Sequence, residues 1–173
     1  MLIRTCRKTD AHLISHIYVQ TWWDTYLGIL PFGYLYSMSV AGLERGLIEG
    51  LNSGQIVVYV AEEGDKLIGF IRGGYERNGD HIYRGEIYEL YVLKYHQRQG
   101  VGSELVSALV AQFKHLGIHS MLVQVLDENP YRRFYEKING LYLRNSRIPF
   151  AGEILDVAVY GWIDTGLIHY RAS

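Results

Sequence analysis

Two groups of residues in the middle of this chain can do chemistry. The first is the run Gln97-Arg98-Gln99-Gly100-Val101-Gly102, in which two glycines enter an apolar-periodic segment. Glycines there let the backbone approach an anion closely, and the free N–H groups at a helix start suit a phosphate. The run lacks the lysine of a P-loop and the three-glycine spacing of a dinucleotide fingerprint, so a pyrophosphate held mainly by backbone amides fits better. Chance alone supplies about 0.3 matches to the pattern Gln/Arg-x-x-Gly-x-Gly/Ala in a chain of this composition, so its setting between a strand and a helix carries the assignment. The second group is a pair of carboxylates, Glu86 and Glu89, on the preceding strand. They can manage protons, and together the two groups point to cofactor-dependent chemistry. Strand alternation predicts that Glu86 and Glu89 point to opposite faces, so that they cannot both serve one cleft.

The elements that must position these groups follow from periodicity. Leu2 to Cys6 reads as a strand; Thr9-Asp10 offers capping oxygens for a helix over His12 to Tyr26. Gly28 and Pro31 interrupt the pattern, and one further helical region is expected from roughly Gly33 to Leu51, closed by a turn at Asn52-Ser53-Gly54. Ile56 to Glu62 and Lys66 to Tyr75 form a hairpin around Glu63-Gly64-Asp65. Ile82 to Leu93 is the next strand, antiparallel to its predecessor. A helix from Val101 to Leu116 shows one apolar face (Val101, Leu105, Ala108, Leu109, Phe113) and closes at Gly117. Met121 to Leu126 is a buried strand, parallel to the carboxylate strand through a right-handed crossover. Asp127 to Pro130 breaks the chain before a short helix, Tyr131 to Lys137. Leu141 to Arg144 and Ile154 to Trp162 are a terminal strand pair. The fold class expected is mixed α/β with a mostly antiparallel sheet, one parallel pair and flanking helices, as one domain over residues 1–173.

Composition excludes several classes. Apolar content of 49% and charged content of 20% argue against disorder, and runs such as Ile56 to Ala61 are too short to span a bilayer. Arg4, Arg7, Lys8 and Asp10 stand where a signal peptide needs an apolar core, so the cytoplasm is the expected compartment. Cys6 is the sole cysteine, which excludes intrachain disulfides and cysteine-based zinc sites. The histidines show no metal-ligand spacing, and a net charge of −1 argues against coating nucleic acid. The 15 tyrosines suit half-buried walls with polar tips.

With these segments in order, the chain resembles the GCN5-related N-acetyltransferases, which bind acetyl-coenzyme A. Glu89-Leu90-Tyr91-Val92 followed by Gln97 to Gly102 looks like the family's central motif. Asn129 with Phe134-Tyr135-Glu136-Lys137 looks like its second motif. Trp22-Trp23-Asp24-Thr25-Tyr26 with Gly28 to Pro31 resembles the opening helices of bacterial members, and Ala158 to Trp162 their ending. The resemblance runs along almost the whole chain, and four segments in order are more specific than any one. Lys94 stands where many relatives have proline, and Ile138-Asn139-Gly140 replaces a Gly-Phe ending; neither removes a backbone donor from the phosphate loop.

The resemblance implies a GNAT fold whose parallel pair splays apart around the cofactor. It implies that backbone amides of Gln97, Arg98, Gln99, Gly100, Val101 and Gly102 hold the pyrophosphate, that Val92 offers backbone groups to the pantetheine arm, and that Asn129 hydrogen-bonds nearby. Arg132 and Arg133 would reach the ribose phosphate or form a solvated basic face. Tyr135 matches the tyrosine that protonates the departing thiolate. The reaction needs a neutral amine, and a lysine-like amine is neutral in only about one molecule in 2,500 at pH 7. A base is therefore useful. Glu86, by its spacing ahead of Gln97, matches the glutamate base of histone-modifying members and is favoured over Glu89. Trp22, Tyr26 and Tyr91 are expected to line the acceptor pocket.

The expected activity is acetyl transfer from acetyl-coenzyme A to a primary amine, small molecule or protein, by direct attack in a ternary complex and without a metal. The competing reading is a non-catalytic acetyl-coenzyme A sensor or regulatory module. Neither membrane nor nucleic acid is expected as a partner, and a homodimer would form through the apolar C-terminal strand, Val157 to Trp162.

Overall fold

A computed structural model describes residues 1–150 and 152–168. Strand β1 (Leu2–Thr5) leads through a 3-10 turn at Lys8–Asp10 into α1 (Ala11–Tyr26). The capping expected of Asp10 runs backwards: its carboxylate accepts from the Arg7 N–H at 2.7 Å and from both terminal nitrogens of Arg4 at 2.7 and 3.0 Å. The Arg4 guanidinium holds the Asp10 carboxyl below the ordinary carboxylate range, with burial opposing and the Arg7 amide assisting. Helix α1 stops where Leu27 turns extended and Gly28 takes a φ of 85°.

The single helical region expected next is two helices, α2 (Phe32–Ser37) and α3 (Val40–Ser53). Met38 leaves the helical conformation, and Ser39 starts α3 afresh by accepting from the Gly42 N–H at 3.1 Å. Then follow β2 (Ile56–Glu63), β3 (Lys66–Tyr75), β4 (Gly85–Val92), α4 (Val101–His115), β5 (Met121–Leu126), α5 (Arg133–Lys137), β6 (Leu141–Phe150) and β7 (Glu153–Trp162). β4 begins later than expected, because Ile82 and Tyr83 donate their N–H groups to Asp80 instead. β6 runs past Arg144 because β7 pairs with it as far as Phe150↔Glu153.

The strands lie in the order β1-β2-β3-β4-β5-β7-β6, and β4–β5 is the parallel pair. Its pairing covers Gly85↔Met121, Glu86↔Leu122 and Ile87↔Val123 and then ends, so the strands part beyond Ile87. One face of the sheet packs on α4: Ile71, Ile87 and Val123 meet Leu105, Leu109 and Phe113. The α4 stripe is wider than expected, since Val106 and Val110 are buried while Ala108 is half-buried. The approach is close at Gly73, where a Cβ would sit 2.8 Å from a Leu109 methyl. The other face packs on α1 and α3 through Ile14, Ile17, Leu47, Val58, Val60 and Phe70.

Two expectations are overturned by long-range pairing. A bulge lies between β3 and β4: Arg72 pairs with Glu89, Gly73 with Ile87 and Gly74 with Glu86, leaving Tyr88 as the extra residue. Glu86 and Glu89 therefore sit opposite positions two apart on β3 and share one face, contrary to simple alternation. The second correction concerns the C-terminal strand. Val157 to Trp162 is interior and buried, paired to β5 on one side and β6 on the other, so it has no edge to offer a second copy.

Candidate active site

The loop between β4 and α4 is shaped by two left-handed residues, Arg98 (φ 62°) and Gly100 (φ 84°). The first turn of α4 then closes with the Glu104 N–H on the Gly100 carbonyl at 3.1 Å. The N–H groups of Val101, Gly102 and Ser103 precede that bond and have no intrahelical acceptor. The Gln97 amide donates to the Val92 carbonyl at 2.9 Å, and the Gln99 amide to the Tyr95 carbonyl at 2.9 Å. Both glutamine side chains thus brace the loop and leave its backbone to face a ligand.

That backbone borders a cavity of about 1040 Å³. Leu90, Tyr91 and Val92 line it from β4, Val125 from β5, and Asn129 and Tyr135 from the α5 side. The cavity therefore occupies the gap opened by the parting strands. Of the expected loop residues, Gln97, Arg98, Gly100 and Gly102 line it; Gln99 does not, and Val101 turns its side chain into the core. Ser103, Thr21 and Thr25 also line it. Ser103 sits in the first turn after the glycines and Thr25 in the opening segment Trp22 to Tyr26, whereas the sequence offered no signal for Thr21.

The cavity walls fit a long anionic ligand. A Cβ at Gly102 would meet only the Phe134 ring, at 3.4 Å, and one at Gly100 would meet nothing within 4 Å, so the cradle is open toward the cavity. Arg98, Arg133 and Lys137 line the walls with no carboxylate paired to any of them among the described residues, and the one carboxylate in the lining, Glu136, accepts from the Tyr160 hydroxyl at 3.0 Å. Arg132 is instead held by Asp127 at 2.7 Å.

Asn129 and Tyr135 border the cavity from the α5 side. Asn129 accepts from the Tyr131 N–H at 2.8 Å and donates to the Tyr26 hydroxyl at 2.6 Å, tying α1 to the segment before α5. Burial pushes the Tyr26 phenol up to about 12, the Asn129 bond opposing. Tyr135 is 8% exposed, and its ring packs near Tyr160 and Trp162 with centroids 5.9 and 6.3 Å away. Its hydroxyl has no partner among the described residues and is not sealed in the interior, so it opens on the cavity. Burial pushes this phenol well up as well.

The three expected acceptor residues form one aromatic cluster. The Trp22 indole N–H donates to the Tyr91 hydroxyl at 2.8 Å; Trp22 leans on Tyr26 with centroids 4.7 Å apart and stacks on Phe150 at 5.5 Å. Tyr18 and Tyr34 complete the cluster. Of the three, Tyr91 also lines the large cavity.

The two carboxylates stand apart from that cavity's lining. Glu86 is 1% exposed and engages Arg77 through both oxygens, at 2.7 and 3.0 Å, with the Arg77 N–H at 3.3 Å. The Arg77 guanidinium also lies 4.0 Å over the Tyr88 ring. Glu89 makes one bond, from the Arg72 Nη2 at 2.6 Å. Burial pushes the Glu89 carboxyl up, with Arg72 and Arg77 pulling the other way.

Comparison with known proteins identifies the family and the fold. The acetyltransferase (GNAT) family model matches residues 16–141. The uncharacterized N-acetyltransferase YuaI of Bacillus subtilis (strain 168) is 30% identical over 163 residues, covering 94% of this chain and 92% of that protein. The yncA protein of Salmonella typhimurium, solved with its cofactor acetyl-CoA, superposes with a TM-score of 0.72 at 22% identity, over 94% of this chain and 92% of that one. The PaiA N-acetyltransferase of Thermoplasma acidophilum, solved with coenzyme A, gives 0.68 at 20% identity, over 91% and 96%.

Proposed function

The chain belongs to the GNAT acetyltransferase family, acyltransferases that depend on acetyl-coenzyme A, and from that premise we propose that it acetylates a primary amine by direct attack within a ternary complex, as one catalytic domain in the cytoplasm. One observation carries the reading: the N-terminal amides of α4, the stretches of β4 and β5 beyond their pairing with each other, and the Tyr135 hydroxyl all border one cavity. When bound there, acetyl-coenzyme A supplies an acetyl group already activated as a thioester. The amides around Gly100, Gly102 and Ser103 would hold the pyrophosphate, with Arg98, Arg133 and Lys137 adding charge complementarity. Backbone groups near Val92 would orient the pantetheine arm and polarise the carbonyl, stabilising the developing oxyanion.

Tyr135 keeps its proton at neutral pH, because burial raises a pKa already near 10, and so holds an O–H ready for a departing thiolate. Asn129 would set the position of Tyr26 at the rim of the acceptor side. Of the two carboxylates, Glu89 has the stronger case as the amine's base, since it retains an oxygen without a protein partner among the described residues and burial raises its pKa. Glu86 would then hold Arg77 and the start of β4. Trp22, Tyr26 and Tyr91 would form the wall against which the acceptor packs.

The testing experiment is a thiol-release assay with acetyl-coenzyme A against a panel of amines, with cofactor binding followed calorimetrically. Amine-dependent release is the expected result. Cofactor binding without release to any small amine or peptide amine would replace this reading with that of a sensor.

A further inference from the structure

Arg72 and Glu89 form a half-used ion pair on the sheet face that also carries Tyr91, next to the cavity but outside its lining. They are directly opposed on β3 and β4, and a single bond, from Nη2 to Oε1 at 2.6 Å, joins them. The Arg72 Nε is sealed from solvent and has no partner. Its Nη1 and the second oxygen of Glu89 also have no protein partner among the described residues, but neither is sealed, and the two side chains are 25% and 14% exposed. The neighbouring pair on the same face behaves differently. Arg77 and Glu86 are joined through two side-chain bonds and a backbone N–H, and Glu86 is buried. Arg77–Glu86 is closed; Arg72–Glu89 is open.

Its location gives the open pair a use. Glu89 lies beyond Ile87, the last β4 residue paired with β5, and immediately precedes Leu90, Tyr91 and Val92, which line the cavity. It shares its face with Tyr91, and the Tyr18 hydroxyl lies within electrostatic reach of both Glu89 and Arg72. A guanidinium with a free donor beside a carboxylate with a free oxygen is complementary to a molecule that carries an anion and an ammonium close together. An under-used, half-buried charged donor is costly to leave unpaired, and an incoming carboxylate would pair it.

We propose that Arg72 and Glu89 recognise the acceptor as a pair, and that the acceptor is an amino-acid-type amine whose carboxylate, a few bonds from its nitrogen, binds the open face of Arg72 while its ammonium meets Glu89. This rests on the transferase reading above. It makes Arg72 a specificity-determining residue and sets free amino acids above peptide amines and plain alkylamines as substrates.

The test compares matched sets on the wild-type enzyme at saturating acetyl-coenzyme A: an amino acid, its carboxamide and its decarboxylated amine, for several side chains. The acid should exceed both neutralised forms in kcat/KM by about tenfold or more, the worth of one charge-assisted hydrogen bond. Arg72→Gln should erase that preference mainly through KM for the acid, leaving coenzyme A affinity unchanged, and Arg72→Lys should restore part of it. Equal or better turnover of carboxamides, decarboxylated amines or peptides would overturn the proposal while leaving the transferase reading intact. Failure of every amine, with coenzyme A still bound, would overturn both. The wild-type comparison decides even if the Arg72 variants fold poorly.

Discussion

Replacing Tyr135 by Phe separates chemistry from architecture with unusual clarity, because the native hydroxyl bonds to nothing in the described protein. Its removal costs no intramolecular hydrogen bond, and the ring retains its neighbours Phe134, Tyr160 and Trp162. Stability should therefore change by no more than about 0.5 kcal/mol, or about 1–2 °C in Tm for a chain of this size. Coenzyme A affinity should stay within about threefold, since backbone amides and cations along the cavity supply most of the anchoring. The rate of acetyl transfer should fall by roughly 10²–10⁴, the usual contribution of a positioned general acid. Single-turnover thiol release is the appropriate assay, because steady-state turnover can be limited by product release and hide the change. In the wild type, burial raises the phenol's pKa, so its proton persists as pH climbs through neutrality. Any alkaline limb that belongs to Tyr135 must then lie above about pH 10 and be absent from the variant. A single-turnover rate within about threefold of wild type, with Tm and cofactor binding unchanged, would refute the reasoning and leave Tyr135 a packing residue.

Glu86→Gln and Glu89→Gln should part company. The first removes the charge that engages Arg77 and should lower stability by roughly 1–3 kcal/mol with modest effect on turnover; the second should lower kcat/KM and abolish an acid limb lying above the ordinary Glu value near 4.3. Parallel thermal melts and pH–rate profiles distinguish them, and the reverse pattern would return the base to Glu86. Gly102→Ala should keep cofactor binding within a few-fold, since its Cβ meets only Phe134 at 3.4 Å. Gly102→Glu should weaken binding roughly a hundredfold or more by placing a carboxylate among the phosphate-binding amides; calorimetry with coenzyme A reads both. Asp10→Asn should cost roughly 1–3 kcal/mol at neutral pH. Because Arg4 depresses the folded pKa of Asp10, the wild type's advantage is full above the unfolded value near 3.9 and shrinks as pH falls through the folded value, which denaturant melts across that range would trace.

Much of this protein could be read along the chain. Apolar spacing placed α4 within a residue or two of its limits, and Gly117 ends it with a φ of 71° as a C′ glycine should. The hairpin about Gly64, the parallel pairing of β4 with β5 and the phosphate loop between strand and helix followed from similarly local signals. Asn129 and Tyr135, singled out by the family resemblance, both border the cavity that the loop borders. Two departures from that reading have different origins. One helix became two because Ser39 competes for the Gly42 N–H, a contest between local bonds that periodicity does not register. Glu86 and Glu89 share one face rather than pointing apart because alternation holds only while the ladder is regular, and the extra residue Tyr88 is visible only against β3.

The sequence by itself determined most of the order of elements and the mixed sheet, because periodicity and a glycine-rich loop are properties of neighbours along the chain, and four segments in order carried the resemblance to the family. Only the tertiary structure decided that Arg72 meets Glu89 through one bond while Arg77 closes on Glu86, that Asn129 reaches Tyr26, and that β7 lies inside the sheet with β6 as the edge. Those contacts join residues far apart in sequence. Register, a bulge and the packing of α1 over the sheet set them, and each is chosen by burial summed over the whole domain rather than by any local segment.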